Sequence, residues 1–358
     1  MVRHRARDRG IADAHAERAG GRAALTTMVA TATLAACGGA AGLRSTVRPA
    51  TRPVAAATSP RHDTPIAART DCFVQPAACG YPAPSTSGVP AGLTLTKYAG
   101  DMVVDTPGTV VADVAVTGSI EITAGDVTVR DTSVTSSGAT GHDIWIAPGV
   151  RDVLIEDSTL RGASATTGAV QYAVQNSGSS SNTGRRLAMY FCTTCWAGAG
   201  SLKDSYVMAN AVASGAHYEP VYYGGGGGAL SVDHDTLLNP HGQTADVFAS
   251  VDFGNQTALT ITNNLMAGGG YMIYGGASGG HGEVVGPVVV SGNRFARCVT
   301  PATHDRSSGG YRCRDSVDSY GYWPKGGYYG VAAWFRAGAT TWSNNHWDAS
   351  GAPVPFPG

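Results

Sequence analysis

Val153-Leu154-Ile155-Glu156-Asp157-Ser158-Thr159-Leu160 is the stretch whose reading decides the fold. Three strand residues and a polar one lead into an acidic turn residue, two small polar residues follow, and a large apolar residue closes the string. The string recurs at 127–134 with its turn at Asp131, at 202–207 with Asp204, at 230–237 with His234, and at 259–266 with Asn263. It returns at 288–295 with Gly292 and at 341–347 with Asn344. Successive turn positions lie 26, 47, 30, 29, 29 and 52 residues apart, so two steps are about twice the others. A second strand precedes the first: Ile144-Trp145-Ile146, Val221-Tyr222-Tyr223 and Val331-Ala332-Ala333 each begin 13 residues before their turn. Val247-Phe248-Ala249 and Met272-Ile273-Tyr274 occupy the same place with longer turns.

A unit this short cannot bury its own apolar face, so it must stack on copies of itself. Alternation of Val, Leu and Ile with Thr, Ser and Glu sends every second residue into a shared core. Asn and Asp at the turn tolerate left-handed backbone angles, and like residues stacked at strand spacing can form a ladder. A β-propeller needs a longer four-stranded repeat and fits less well. The expected fold is all-β: a single-stranded right-handed parallel β-helix, a solenoid with long loops and local disulfides.

The ends of the chain point to export. An Arg-rich start (Arg3, Arg5, Arg7, Arg9, Arg22) leads into a mildly apolar stretch ending at Leu34-Ala35-Ala36-Cys37-Gly38, which has the form of a lipobox. The reading is a lipoprotein signal peptide over 1–36 and a lipidated Cys37 holding the chain at a membrane surface. A flexible Ala/Thr/Pro/Ser-rich tether over 37–86 and a β-helix domain over 87–358 follow. No other stretch approaches the roughly 20 apolar residues of a membrane span. The six remaining cysteines fall into close pairs, Cys72 with Cys79, Cys192 with Cys195 and Cys298 with Cys313, which in an exported chain read as disulfides. Charged residues make up only 14% of the chain and the formal net charge is −1, which leaves no reason to expect nucleic acid as a partner. A monomer is expected.

These strings, with Asn263-Asn264-Leu265-Met266 leading into Ala267-Gly268-Gly269-Gly270, resemble the right-handed β-helix proteins of the pectin-lyase-like superfamily. More narrowly, the stretch from Ser87 to Pro355 is similar to a group of secreted bacterial β-helix proteins, mostly without assigned activity. The resemblance covers about three quarters of the chain. It implies the fold, and it spans polysaccharide lyases, glycoside hydrolases and noncatalytic adhesins alike.

Registering the repeats places a polar column ahead of the upstream strand: His142 and Asp143 in one coil, His217 and Glu219 in another, Asp246 in the next. Counting 17 residues back from His234 and from Asn263 sets His217 and Asp246 on neighbouring coils, about 4.8 Å apart along the axis. His217, Glu219 and Asp246 are therefore candidate catalytic residues, since a hydrolase wants two acids about 5 to 9.5 Å apart. Asp143, Glu219 and Asp246 are candidate ligands for Ca²⁺. A solvated polar column at a turn is the plain alternative. The longest loops carry Tyr218, Tyr222 and Tyr223 on one side and Trp323 and Lys325 on the other, rings and a cation suited to sugar. Aromatic loops also cap β-helix ends. Two functions follow as expectations: a surface-anchored protein that binds, and in one version degrades, a polysaccharide, or a noncatalytic adhesin or envelope scaffold.

Overall fold

Each coil is built by the same local logic. Leu154–Glu156 is a strand whose Ile155 points inward; the chain reverses at Asp157, and Thr159–Gly162 forms the next strand with Leu160 inward. A loop then leads to Val170–Asn176, where Val174 is buried, before the following coil begins at Thr183–Arg185. The computed structural model describes residues 72–73, 75–213, 215–241, 244–275, 282–296, 312–313, 322–323, 330–333, 335, 339–348 and 350–357. The expected leader, Cys37, most of the tether, Cys298 and Lys325 lie outside the described residues, and for Cys313 and Trp323 the backbone alone is described.

Among the described residues the strands stack into three parallel sheets, of ten, nine and nine strands, and the chain is a parallel β-helix. Sheet 1 runs from Thr96–Ala99 to His346–Trp347, sheet 2 from Met102–Val104 to Gly330–Ala333, and sheet 3 from Val110–Ala112 to Thr340–Ser343. A short pair, Arg312–Cys313 with Tyr322–Trp323, stands apart. The shortest coil takes 18 residues, from Val110 to its partner Thr128. Inward side chains from all three sheets form one core along the axis, and each fully buried Ile or Leu contributes about 1.5–3 kcal/mol relative to exposure.

The turn between sheets 3 and 1 takes two residues. Its first residue is left-handed, with φ of 51° at Asp131, 47° at Asp157, 53° at Asp204, 58° at His234 and Asn263, 71° at Gly292 and 54° at Asn344. Its second residue is buried and carries the ladder. Ser205 N–H donates to Asp235, Asp235 N–H to Asn264, Asn264 N–H to Asn293 and Asn293 N–H to Asn345, at 2.7–3.0 Å.

The two long sequence steps have different causes. Between Asp157 and Asp204 a whole coil intervenes, turning at Arg186 with φ 52°. A salt link holds that arginine, whose guanidinium donates two hydrogen bonds of 2.6 Å to Asp157 of the preceding coil. The step from Gly292 to Asn344 is a single coil, because Val290 pairs directly with Trp342. The intervening residues are an insertion.

Both described cysteine pairs are bridged. Cys192–Cys195 closes a bend in the strand Cys192–Ala197, with Cα atoms 5.2 Å apart, and Cys72–Cys79 closes a short loop around the 3-10 turn Pro76–Cys79. The folded chain reaches back to Cys72, ahead of the boundary expected at 87. Residues 72–73 and 75–92 form a strap along the outer face of sheet 1, where Phe73 packs on Tyr206, Leu238, Ala267 and Ala296. Phe73 N–H donates to Asp348 in the last coil, Thr236 Oγ1 to the Pro82 carbonyl, and Gly88 N–H to the Arg186 carbonyl.

Candidate functional site

Sheet 2 carries a column of rings on its outer face. Register places Trp145 beside Gln175, Gln175 beside Ala197, Ala197 beside Tyr222, Tyr222 beside Phe248 and Phe248 beside Tyr274. Side chains alternate along a strand, so the rings project outward from between two buried neighbours, as Trp145 does between Ile144 and Ile146. Tyr222 and Phe248 stack with centroids 5.5 Å apart, Phe248 meets Tyr274 edge-on at 5.0 Å, and Tyr271 leans on Tyr274 at 4.9 Å.

One cleft adjoins the column, and a second lies toward the start of the same strands. The first, of about 470 Å³, is bordered by Tyr172, Gln175, Tyr222, Phe253 and the glycine run 224–228. The run lies close against its neighbours: a Cβ on Gly225, whose φ is +92°, would sit 2.1 Å from the Gly254 carbonyl oxygen. Phe253 stands 75% exposed at the rim. The other cleft, of about 450 Å³, is bordered by Gln171, Thr193, Thr194 and His217.

Glu219 begins the strand Glu219–Tyr223 and is only 3% exposed. Its Oε2 accepts from Thr194 Oγ1 at 3.0 Å, and His217 Nδ1 lies 3.9 Å from Oε1. Thr244 Oγ1 is 3.1 Å from that nitrogen and also reaches the carboxyl. Burial raises the Glu219 carboxyl above its usual range, although hydrogen bonds from Thr244 and Thr194 and the nearby His217 pull it back. His217 and Glu219 are thus brought together as the spacing suggests.

Asp246 does not join them on the outer face. Val221 pairs with Val247, which sets Asp246 level with Pro220 rather than with His217. Partners on sheet 2 are here 26 residues apart, whereas Leu230 and Leu259 on sheet 3 are 29 apart, so counting from the turn misplaces the column. Asp246 is fully buried, and neither of its oxygens has a hydrogen bond meeting normal geometry. Burial pushes its carboxyl well above the usual range, offset in part by the Asn239 backbone N–H. Asp143 is equally buried and raised for the same reason. It sits three strands from Glu219 in sheet 2, on the order of 14 Å at strand spacing. Asp143, Glu219 and Asp246 therefore do not converge as a Ca²⁺ set, and among the described residues no three His, Cys, Asp or Glu side chains group as a metal site would require.

Of the aromatic candidates whose side chains are described, Tyr222 and Tyr223 both border the larger cleft, and Tyr222 is the one that projects from the outer face. Tyr218 is buried, its hydroxyl donating to the Ala213 carbonyl and accepting from the Ala213 N–H while its ring stacks on His241 at 3.5 Å. Tyr223 points inward, and its hydroxyl accepts from Gly228 N–H at 2.7 Å, which pins the glycine run. Burial lowers His241 to about 4. Trp145, Phe248, Phe253 and Tyr274 were not singled out by sequence reasoning, yet a signal existed: an aromatic residue stands at the centre of three of the upstream triplets. No protein family, curated protein or solved structure matches the chain.

Proposed function

We propose that the domain binds a polysaccharide along the outer face of sheet 2, at a cell surface to which a lipid on Cys37 tethers it. The observation that carries this reading is the ring column of Tyr222, Phe248 and Tyr274 at coil spacing, with Trp145 three coils away in the same row and a cleft beside it. Ring faces stack on sugar rings, and a rigid solenoid repeats them in line. Kinship with the pectin-lyase-like β-helices belongs to the same proposal, supported by the stacked asparagines 264, 293 and 345.

Binding without cleavage is the form that the geometry favours, because Asp246 is sealed in the interior and gives Glu219 no partner acid. Titration of the purified exported chain with a panel of polysaccharides tests the reading. Phe248→Ala and Tyr222→Ala are each expected to weaken binding about tenfold, a loss of roughly 1.4 kcal/mol. Unchanged affinity in both overturns the site. New reducing ends that disappear in Glu219→Gln would instead establish a hydrolase.

A further inference from the structure

We infer that this face selects uncharged glycans and turns away uronate-bearing or sulfated ones. The inference rests on the glycan reading above and adds the chemical class of the ligand.

The nine strands of sheet 2 contain no lysine or arginine. The other two sheets do: Lys97, Arg161 and Arg294 lie in sheet 1, and Arg130, Arg185 and Lys203 in sheet 3. Among the described strands, cations therefore stand only in sheets 1 and 3, and there they meet acids, as in Arg185 with Glu156, Lys203 with Asp233 and Arg294 with Asp348.

The charge that sheet 2 does carry is negative. Glu121 lies beside Trp145 in the outward column, Glu219 lies beneath His217, and Asp252 is close enough to Tyr222 to raise its phenol alongside the larger effect of burial. Among the described residues the larger cleft is bordered by no charged side chain; its polar groups include the Gln175 amide and the Ser180 hydroxyl. Among the described residues His217 is the single titratable group bordering the smaller one.

A polyuronate presents a carboxylate on every sugar, and binding it in a groove needs cations at matching intervals. The described face offers rings, amides and hydroxyls, the set that recognises neutral sugar hydroxyls and apolar ring faces. Carboxylates at its edges would repel a polyanion.

The test is retention of the full exported chain on immobilised polymers at low and high salt. Neutral polymers, mixed-linkage β-glucan and galactomannan, are set against polygalacturonate, alginate and chondroitin sulfate. The expected result is retention by a neutral polymer with little salt dependence and no retention by the polyanions. Gln175→Lys, which sets a cation in the outward column, is expected to confer polyanion binding at least tenfold above the parent. Polyanion binding by the parent chain that weakens with salt would overturn the inference. If that binding is also lost in Phe248→Ala, the glycan face stands and only its charge selection falls. Retention by no polymer of either class overturns both.

Discussion

Asn293 accepts from both the backbone N–H and the side-chain amide of Asn264, while its own amide donates to the Ile261 carbonyl and to Asn345. These groups are fully buried, so removing one acceptor leaves donors with neither protein nor water. Asn293→Ala is expected to cost about 3 kcal/mol in urea unfolding, against a few tenths for a comparable change on the exposed side of sheet 3. Asp246 makes a residue-level prediction of opposite character. Its carboxyl binds a proton more tightly folded than unfolded, so the stability it permits is complete below the unfolded carboxylate range, near about pH 4, and is lost as pH rises through its elevated folded value. Asp246→Asn is expected to flatten part of the fall in Tm between acid and neutral pH; an unchanged slope would show the carboxyl to be satisfied by other means. The turn residues were legible because Asp and Asn are common where φ is positive. The sealing of Asp246 was not, because burial at a bend depends on which coil lies above and below.

At the scale of the strand, Gly184 shows how one coil hid from the repeat. It occupies the inward position of Thr183–Arg185, and a Cβ there would lie 2.7 Å from the ring of Trp196, the largest fully buried side chain. A missing side chain on one coil makes room for an oversized one on another. The apolar signal is therefore absent at Gly184, and Arg186 stands where Asp or Asn would mark the turn. Gly184→Ala is expected to cost about 1–3 kcal/mol through overpacking, read by thermal melting; a neutral result would mean that the Trp196 ring has room to shift. The glycine run has the reverse role, shaping a boundary rather than filling the core. Gly225→Ala meets both a positive φ and the Gly254 carbonyl, so it is expected to displace the run and weaken glycan binding about tenfold with little change in Tm. The upstream triplets located sheet 2, and their central residues held the aromatic column in plain view. Tyr218 and Tyr223 stand out in the sequence as rings of a long loop, yet Tyr218 is buried and Tyr223 is an inward residue of the strand Glu219–Tyr223.

For the whole molecule, the strap changes what kind of solenoid this is. In a simple stack each coil touches only its neighbours and the ends fray independently. Here the strap contacts coils from Thr159 to Asp348, so the C-terminal coils cannot open without undocking the segment that precedes the first strand. A Cys72→Ser, Cys79→Ser double variant is expected to lose about 2 kcal/mol. Its amide exchange should quicken first at Thr340–Ser343 and His346–Trp347, and unaltered protection there would show that the strap is passive.

The strap also imposes an order of events in time. Synthesis makes the segment around Cys72 before any coil exists, yet Asp348, which accepts from the Phe73 N–H, follows Phe73 by 275 residues. That segment must wait, undocked and with Phe73 uncovered, until the coils that receive it have been made. Closure of the strap then reports that the coil holding Asp348 is in place, and a chain truncated before Asp348 would leave that ring exposed.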